Sequence, residues 1–193
     1  MIPSKRLLSD TGRSYSFDHR GTGFGRGEGA GCIILKSLED AEAAGDAIRS
    51  VIINSGLNQD GRTRGIAMPN GKAQEALIRQ VYKEARIDPS LTGFVEAHGT
   101  GTKVGDPLEA TALNAVFGIG RTPRQPLLVG SVKSNIGHTE GTSGVVSVIK
   151  AALALERGFV PPNCNFEKAN DEIPMEKWNM KVRSGTDLKY QRT

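Results

Sequence analysis

Cysteine is scarce in this sequence, which carries only Cys32 and Cys164 among its 193 residues. The two lie far apart and form no CxxC pattern, so neither a disulfide framework nor a zinc site is expected. Long hydrophobic runs are also missing: no stretch approaches the length of a membrane span, and the first residues do not begin a secretory signal. We therefore expect a protein of the reducing cytoplasm that binds no metal and has no membrane as a partner.

An excess of charge of one sign is absent as well. The formal net charge is only +4, and the basic residues near the start are interpreted as a solvated surface, so nucleic acid is not expected as a partner. The length allows one domain with a sizeable core. Glycine is the plentiful residue, at 24 positions, and its grouping in short polar motifs predicts many tight loops.

Helical and strand-like patterns alternate along the chain, which is typical of an α/β architecture. The predicted helices span 38–46, 72–87, from Pro107 to about Phe117, and 145–156, with Gly158 as a stop. The predicted strands are 30–36, 47–55, 93–97 and 127–132. Loops are predicted for 1–31, 56–71, 98–105 and 133–144, and the tail after about Ser184 shows no clear pattern.

Two glycine motifs suggest nucleotide binding and fail on inspection. Glycines alternate strictly from Gly21 to Gly31, which never supplies the gap that a dinucleotide-binding fingerprint needs, and the segment precedes a strand instead of following one. The segment 56–63 approaches a P-loop, but Arg62 stands where lysine belongs and Pro69 interrupts the helix that should follow. No nucleotide site is predicted.

Two histidines occupy matching positions after predicted strands. His98 opens the loop HGTGT, and His138 lies in KSNIGHTEG, five residues beyond Lys133. Polar loops at the carboxyl ends of strands are where open α/β folds place ligands. Without HxxxH or carboxylate spacing, metal binding is not indicated. Neutral imidazoles that donate hydrogen bonds can stabilise an enolate or oxyanion, and a nearby lysine supplies positive charge, so chemistry on an acyl group is predicted.

Five segments in order resemble β-ketoacyl synthases of type I polyketide synthases, over about residues 9–183. They are FDHRGTGFGRGEGAG (17–31), LNQDGRT (57–63), KAQEALIRQVY (72–82), VEAHGTGTKVGDPLEA (95–110) and VGSVKSNIGHTEG (129–141). Two further segments, PPNCNFEKAN (161–170) and EKWNMKV (176–182), are similar to those of fungal highly reducing iterative synthases.

The resemblance implies a thiolase-like fold, in which two similar halves form a layered αβαβα core. Residues 1–39 would be the end of the first half, residues 47–183 most of the second half, and 184–193 a poorly defined tail. A partial fold of this kind is therefore expected, from a synthase that is dimeric when intact.

The resemblance also implies a reaction: decarboxylative Claisen condensation of acyl and malonyl thioesters. The partner would be an acyl carrier protein, whose phosphopantetheine arm presents the substrate, and no cofactor would bind directly. His98 and His138 match the catalytic histidines, and Lys133 the lysine that supports their electrostatics. Thr100, Thr102 and Glu140 match positions near the substrate arm.

One departure limits this expectation. The family's nucleophilic cysteine lies upstream of the loop where this sequence starts, and neither Cys32 nor Cys164 matches it. The chain is expected to be a C-terminal fragment that is inactive alone. Two alternatives remain: a catalytically silent structural or carrier-docking piece, and a thiolase acting on free coenzyme A. The intact histidines and lysine favour an active parent over the first, and the paired histidine motifs disfavour the second.

Overall fold

A small parallel sheet lies at the centre of the protein. The computed structural model describes residues 7–63, 65 and 68–185. Its strands β1 (Phe94–Glu96), β2 (Leu127–Gly130) and β3 (Met180–Val182) lie in that order, both pairs are parallel, and Val129 of β2 pairs with Val95 and Val182. Because all three run the same way, their carboxyl ends share one edge.

The described part of the chain also forms five α-helices. They are α1 (Leu38–Ala44), α2 (Gly71–Ala85), α3 (Gly105–Phe117), the single turn α4 (Lys133–Ile136) and α5 (Ser143–Arg157). Short 3₁₀ turns span Pro89–Leu91 and Glu140–Thr142. The Asn70 side chain accepts hydrogen bonds from two backbone N–H groups at the start of α2, and α5 ends at Gly158 in the left-handed conformation that glycine favours.

The core lies between the sheet and α3. Leu127 and Val129 are almost fully buried beside Leu113 and Phe117, and Tyr82 of α2 meets the Phe117 ring edge-on at 5.1 Å. An apolar face on α3 is thereby removed from water, which is the main source of stability for such a layer. The predicted α/β class is confirmed, as are the helices predicted over 38–46, 72–87, 107–117 and 145–156, with small shifts at their ends.

Two predicted strands are wrong. Residues 30–36 and 47–55 form no strand in the structure, and they expose large apolar side chains, including Ile34 at 95% and Ile53 at 67%. Runs of β-branched residues satisfy strand propensity, but a strand also needs a neighbour for its N–H and C=O groups. No segment among residues 7–63, 65 and 68–185 pairs with either run.

Two smaller predictions need correction. The loop predicted over 133–144 contains α4, a 3₁₀ turn and the first residues of α5, because the backbone turns into a helix at Lys133, with only two residues between it and the end of β2. Strand β3 was not predicted, since three residues are too short to show a period. The tail prediction over 186–193 lies outside the described residues.

The alternating glycines have a packing role. A Cβ atom on Gly25 would lie 2.3 Å from the Gly12 carbonyl oxygen, and one on Gly27 would lie 2.3 Å from that of Ile136. Both distances are far shorter than any real contact, so only glycine lets this segment run against two other stretches of backbone. The segment reaches the loop that carries His138, which it meets through reciprocal backbone hydrogen bonds.

Candidate functional site at the carboxyl edge of the sheet

His98 and Lys133 both lie just beyond the carboxyl ends of neighbouring strands. His98 follows β1 by two residues, and Lys133 follows β2 by three. Since β1 and β2 are parallel and adjacent, the two loops leave the sheet at the same edge. The Ser131 hydroxyl joins them by donating a hydrogen bond to the His98 carbonyl oxygen at 3.2 Å.

Glu109 of α3 anchors the backbone at His98. Its carboxylate accepts hydrogen bonds from the N–H of His98 at 2.7 Å and from the N–H of Gly99 at 2.8 Å. The carboxylate thus binds two successive backbone N–H groups, which constrains the direction in which the loop leaves β1. Burial raises the pKa of Glu109, while these two N–H groups and the charge of Lys133 oppose the rise.

Asp106, one turn earlier in α3, anchors the rest of the loop. Its carboxylate is 2% exposed and accepts hydrogen bonds from the N–H groups of Phe17, Gly101 and Thr102. Burial raises the pKa of Asp106 to about 7, against the effect of these donors. The loop 98–102 is therefore held from α3 by two carboxylates spaced three residues apart.

His138 is fixed by its own loop and by the glycine-rich segment. Its N–H donates to the Gly25 carbonyl at 2.7 Å, and its carbonyl accepts from the N–H of Gly27 at 3.1 Å. The Glu140 N–H donates to Nδ1 of the His138 ring at 3.1 Å. A neutral ring with Nδ1 as acceptor carries its proton on Nε2, so His138 offers one N–H donor.

The two imidazoles converge. The ring centroids of His98 and His138 lie 5.3 Å apart at an interplanar angle of 85°, and Phe24 meets the His138 ring at 5.0 Å. Two rings in this edge-to-face arrangement can both reach one small acyl group.

Both rings are neutral near pH 7. Burial, followed by the charge of Lys133, lowers the pKa of His98 to about 4 and also lowers the pKa of His138. His98 remains exposed to solvent, which screens the charge of Lys133 at the ring. Neutral rings remain hydrogen-bond donors at physiological pH.

Lys133 is a buried cation beside these rings, with 2% of the residue exposed. Burial lowers its pKa, and the negative charges of Glu109, Glu96 and Asp106 oppose that fall. A buried ammonium surrounded by carboxylates supplies a fixed positive charge to the site at low cost in reorganisation.

The depressed pKa of His98 leads to a prediction about pH. Because the folded state binds this proton less tightly than the unfolded chain, acidification from about pH 6.5 towards 4 destabilises the fold. We expect the His98 ring to stay neutral at pH 6. NMR titration of ¹³C-labelled histidine, with the signal assigned by its loss in His98→Ala, measures this in a complete ketosynthase domain that carries the chain. A pKa at or above 6.5 would contradict the electrostatic description.

The other predicted site residues differ in their exposure to solvent. Thr100 is 7% exposed, its hydroxyl lies 3.3 Å from that of Thr102, and the Thr102 hydroxyl accepts a hydrogen bond from the N–H of Gly105 at the start of α3. Glu140 is exposed and forms an ion pair with Arg26 at 2.6 Å. All three lie in or beside the histidine loops, and their contact with substrate stays a prediction.

Both cysteines lie outside the helices and strands. Cys32 and Cys164 are exposed free thiols, and Cys32 lies in the segment 30–36, which was wrongly predicted as a buried strand. The Cys164 sulfur accepts a hydrogen bond from the Asn135 side chain at 3.0 Å. In the described ranges, no group of three metal-binding side chains comes together, and no helix is long and apolar enough to cross a membrane.

Sequence reasoning missed the carboxylates of this site. Asp106 and Glu109 lie within a motif whose flanking histidine was recognised, and their spacing on one face of a helix directly after the loop was the available signal. Glu96 and Lys150 gave no comparable signal, because 54 residues separate them in the sequence.

A parallel sheet whose carboxyl edge brings together two imidazoles and a buried lysine could stabilise negative charge that develops on an acyl oxygen. Comparison with known families shows which family has this arrangement. The family described as beta-ketoacyl synthase, C-terminal domain, matches residues 49–167, and the beta-ketoacyl synthase N-terminal domain matches residues 2–41. The chain belongs to the β-ketoacyl synthase family, and the resemblance found in the sequence is confirmed.

Fungal polyketide synthases are among its relatives. The chain is 60% identical over 186 residues to highly-reducing polyketide synthase 1 of Aureobasidium melanogenum, covering 96% of this chain and 8% of that protein. It is 57% identical over 177 residues to a reducing polyketide synthase of Cochliobolus heterostrophus, covering 92% and 7%. The chain therefore spans less than a tenth of these relatives.

Solved ketosynthases share its fold. The ketosynthase from module 6 of the bacillaene synthase of Bacillus subtilis 168 matches with a TM-score of 0.88 and 43% identity, over 93% of this chain and 32% of that one. The oxazolomycin ketosynthase domain from Streptomyces albus matches with a TM-score of 0.87 and 34% identity, over 93% and 31%. The expected thiolase-like, partial α/β fold is confirmed, and the chain spans about a third of these ketosynthases.

Proposed function

We propose that this chain forms the decarboxylation half of a polyketide synthase condensation site. The observation that carries the proposal is the convergence of two neutral imidazoles, 5.3 Å apart, on the edge where Lys133 is buried. His98 and His138 would donate hydrogen bonds to the oxygen of a malonyl thioester, and Lys133 would supply positive charge to the same region.

The chemistry follows from where negative charge develops. The bond between the malonyl α-carbon and its carboxylate breaks, carbon dioxide leaves, and the electron pair moves into the thioester as an enolate whose oxygen accepts the two imidazole hydrogen bonds. The enolate carbon then attacks an acyl thioester held on a cysteine, a carbon–carbon bond forms, and the thiolate leaves. That cysteine would come from the part of a ketosynthase outside this chain, since neither Cys32 nor Cys164 lies in a matching motif.

The partner would be an acyl carrier protein, with its phosphopantetheine arm as the substrate carrier and no cofactor bound directly. Thr100 and Thr102 lie within the His98 loop and Glu140 lies two residues beyond His138, so these three side chains are the candidates for contact with that arm. The domain ranges 1–39 and 47–183, dimerisation of the intact synthase and a cytoplasmic location belong to the same proposal.

The test uses a host ketosynthase, defined as the complete ketosynthase domain of the Aureobasidium melanogenum relative in which this chain replaces the matching segment. The identity of 60% makes this relative a suitable host for the chain. We expect the host ketosynthase to release carbon dioxide from malonyl carrier protein and to form a β-ketoacyl product. The isolated chain should form no acyl adduct by mass spectrometry. Turnover by the isolated chain through Cys32 or Cys164, or a folded host without decarboxylation, would refute the proposal.

A further inference from the structure

The turn that carries Lys133 is held by side chains from two other parts of the chain and by one of its own. Its successive N–H groups at 131, 132 and 133 each donate to a side-chain oxygen. Ser131 N–H donates to Asn163 at 3.0 Å, Val132 N–H to Glu96 at 2.6 Å, and Lys133 N–H to the Ser131 hydroxyl at 3.3 Å. Of these three acceptors, Glu96 alone is charged, and its hydrogen bond is the shortest.

Glu96 is itself held by an ion pair. Its second carboxylate oxygen lies 2.6 Å from Nζ of Lys150 on α5, and the side chains are 5% and 10% exposed respectively. The Lys150 ammonium also lies 5.6 Å from the centre of the Phe94 ring. One oxygen of Glu96 therefore accepts a hydrogen bond from the turn before Lys133, and the other is paired with the charge of Lys150 on α5 without hydrogen-bond geometry.

The stability of the fold does not by itself explain why Glu96 and Lys150 form a buried ion pair. Removing two charges from water costs about as much as their attraction returns, and apolar residues of similar size often serve the fold as well. The position of the Lys133 ammonium explains the pair better. An unpaired Glu96 carboxylate would attract the Lys133 ammonium, whose pKa it already raises, and would compete with the imidazole site for that cation.

We propose that Glu96 and Lys150 are positioning residues for Lys133. Glu96 fixes the turn through the Val132 N–H, and Lys150 neutralises Glu96 so that Lys133 stays directed at the histidines. This inference rests on the proposed function, because Lys133 is the group whose position is read out. Neither residue contacts substrate in this scheme.

The first test removes one charge. In the host ketosynthase, Lys150→Met should lower malonyl decarboxylation by roughly tenfold or more relative to acyl loading, the usual effect of disturbing a buried charge that aligns a site. Adding Glu96→Gln should restore most of the lost rate, since both charges are then gone while an amide oxygen still accepts from Val132. The control is Lys168→Met, which breaks an exposed pair of similar length, 2.7 Å to Asp171, and should change neither half-reaction.

A second test applies if Lys150→Met does not fold. Of the two uncharged double variants, Glu96→Gln/Lys150→Met keeps a side-chain oxygen that can accept from the Val132 N–H, and Glu96→Leu/Lys150→Met does not. The variant with leucine should decarboxylate more slowly at equal acyl loading. Equal ratios in the two double variants, or an equal loss of both half-reactions in Lys150→Met, would overturn the positioning role. An inactive but folded unsubstituted host would instead refute the proposed function.

Discussion

Replacing either His98 or His138 by alanine in the host ketosynthase is expected to lower malonyl decarboxylation by about a hundredfold to a thousandfold, the cost typical of losing one oxyanion donor. Negative charge develops on the thioester oxygen during this step, and two preorganised N–H donors stabilise it without reorganisation. Acyl loading should fall much less, because its oxyanion is expected to rest on groups outside this chain.

The measurement pairs two assays on one preparation: carbon dioxide release from malonyl carrier protein and retention of a radiolabelled acyl group. The third histidine provides a matched control, since His19 contacts Asp18 and the Lys168 carbonyl and lies outside the converging pair. His19→Ala should leave the ratio of the two rates unchanged. Normal decarboxylation together with poor loading in both site variants would show that the assigned roles are wrong.

Glu109→Gln is expected to damage both the fold and the site. A glutamine of the same shape presents one oxygen and one NH₂ group, so one of the N–H groups of His98 and Gly99 faces another donor. A donor left unsatisfied in this way costs about 1–3 kcal/mol in the free energy of unfolding. Lys133 also loses a negative charge that raises its pKa. The direction of the His98 loop should therefore loosen at the same time as the buried cation is destabilised.

Urea unfolding of the host ketosynthase measures the first effect, and carbon dioxide release the second. We expect decarboxylation to fall by roughly tenfold or more where the variant is still fully folded, from the loss of alignment. Glu172→Gln is the control, because Glu172 is an exposed carboxylate whose replacement should change stability by less than about 0.5 kcal/mol. Unchanged stability and rate in Glu109→Gln would contradict the anchoring role.

Glu109 and the Glu96–Lys150 pair support separate parts of one site. Glu109 reaches the His98 loop from α3, whereas Glu96 and Lys150 reach the Lys133 turn from β1 and α5. The glycine-rich segment supports the third part, the loop of His138. Each polar loop at this edge therefore has its own support, which is how a site made mostly of loops can be kept rigid.

The sequence by itself determined which residues carry the chemistry and where along the chain they lie. His98 and Lys133 could be identified because each lies a few residues after a strand-like run, and parallel strands deliver such residues to a common edge. The longer helices could also be predicted from local signals, because their caps, their stops and their apolar periodicity all lie within a few turns of the chain. The helix stop at Gly158 is one example, where a glycine takes the left-handed conformation that ends α5.

Only the tertiary structure decided which groups meet. Propensity marks residues 30–36 and 47–55 as strands, yet strand formation depends on a hydrogen-bonding neighbour that no local pattern encodes, and the described chain supplies none. The ion pair of Glu96 with Lys150 likewise joins a strand to a helix far along the chain, so no periodicity reveals it. Local patterns specify what each segment can do. The partners of a buried charge or of a strand edge are instead set by packing between distant segments, because unpaired polar groups become costly only once they are buried.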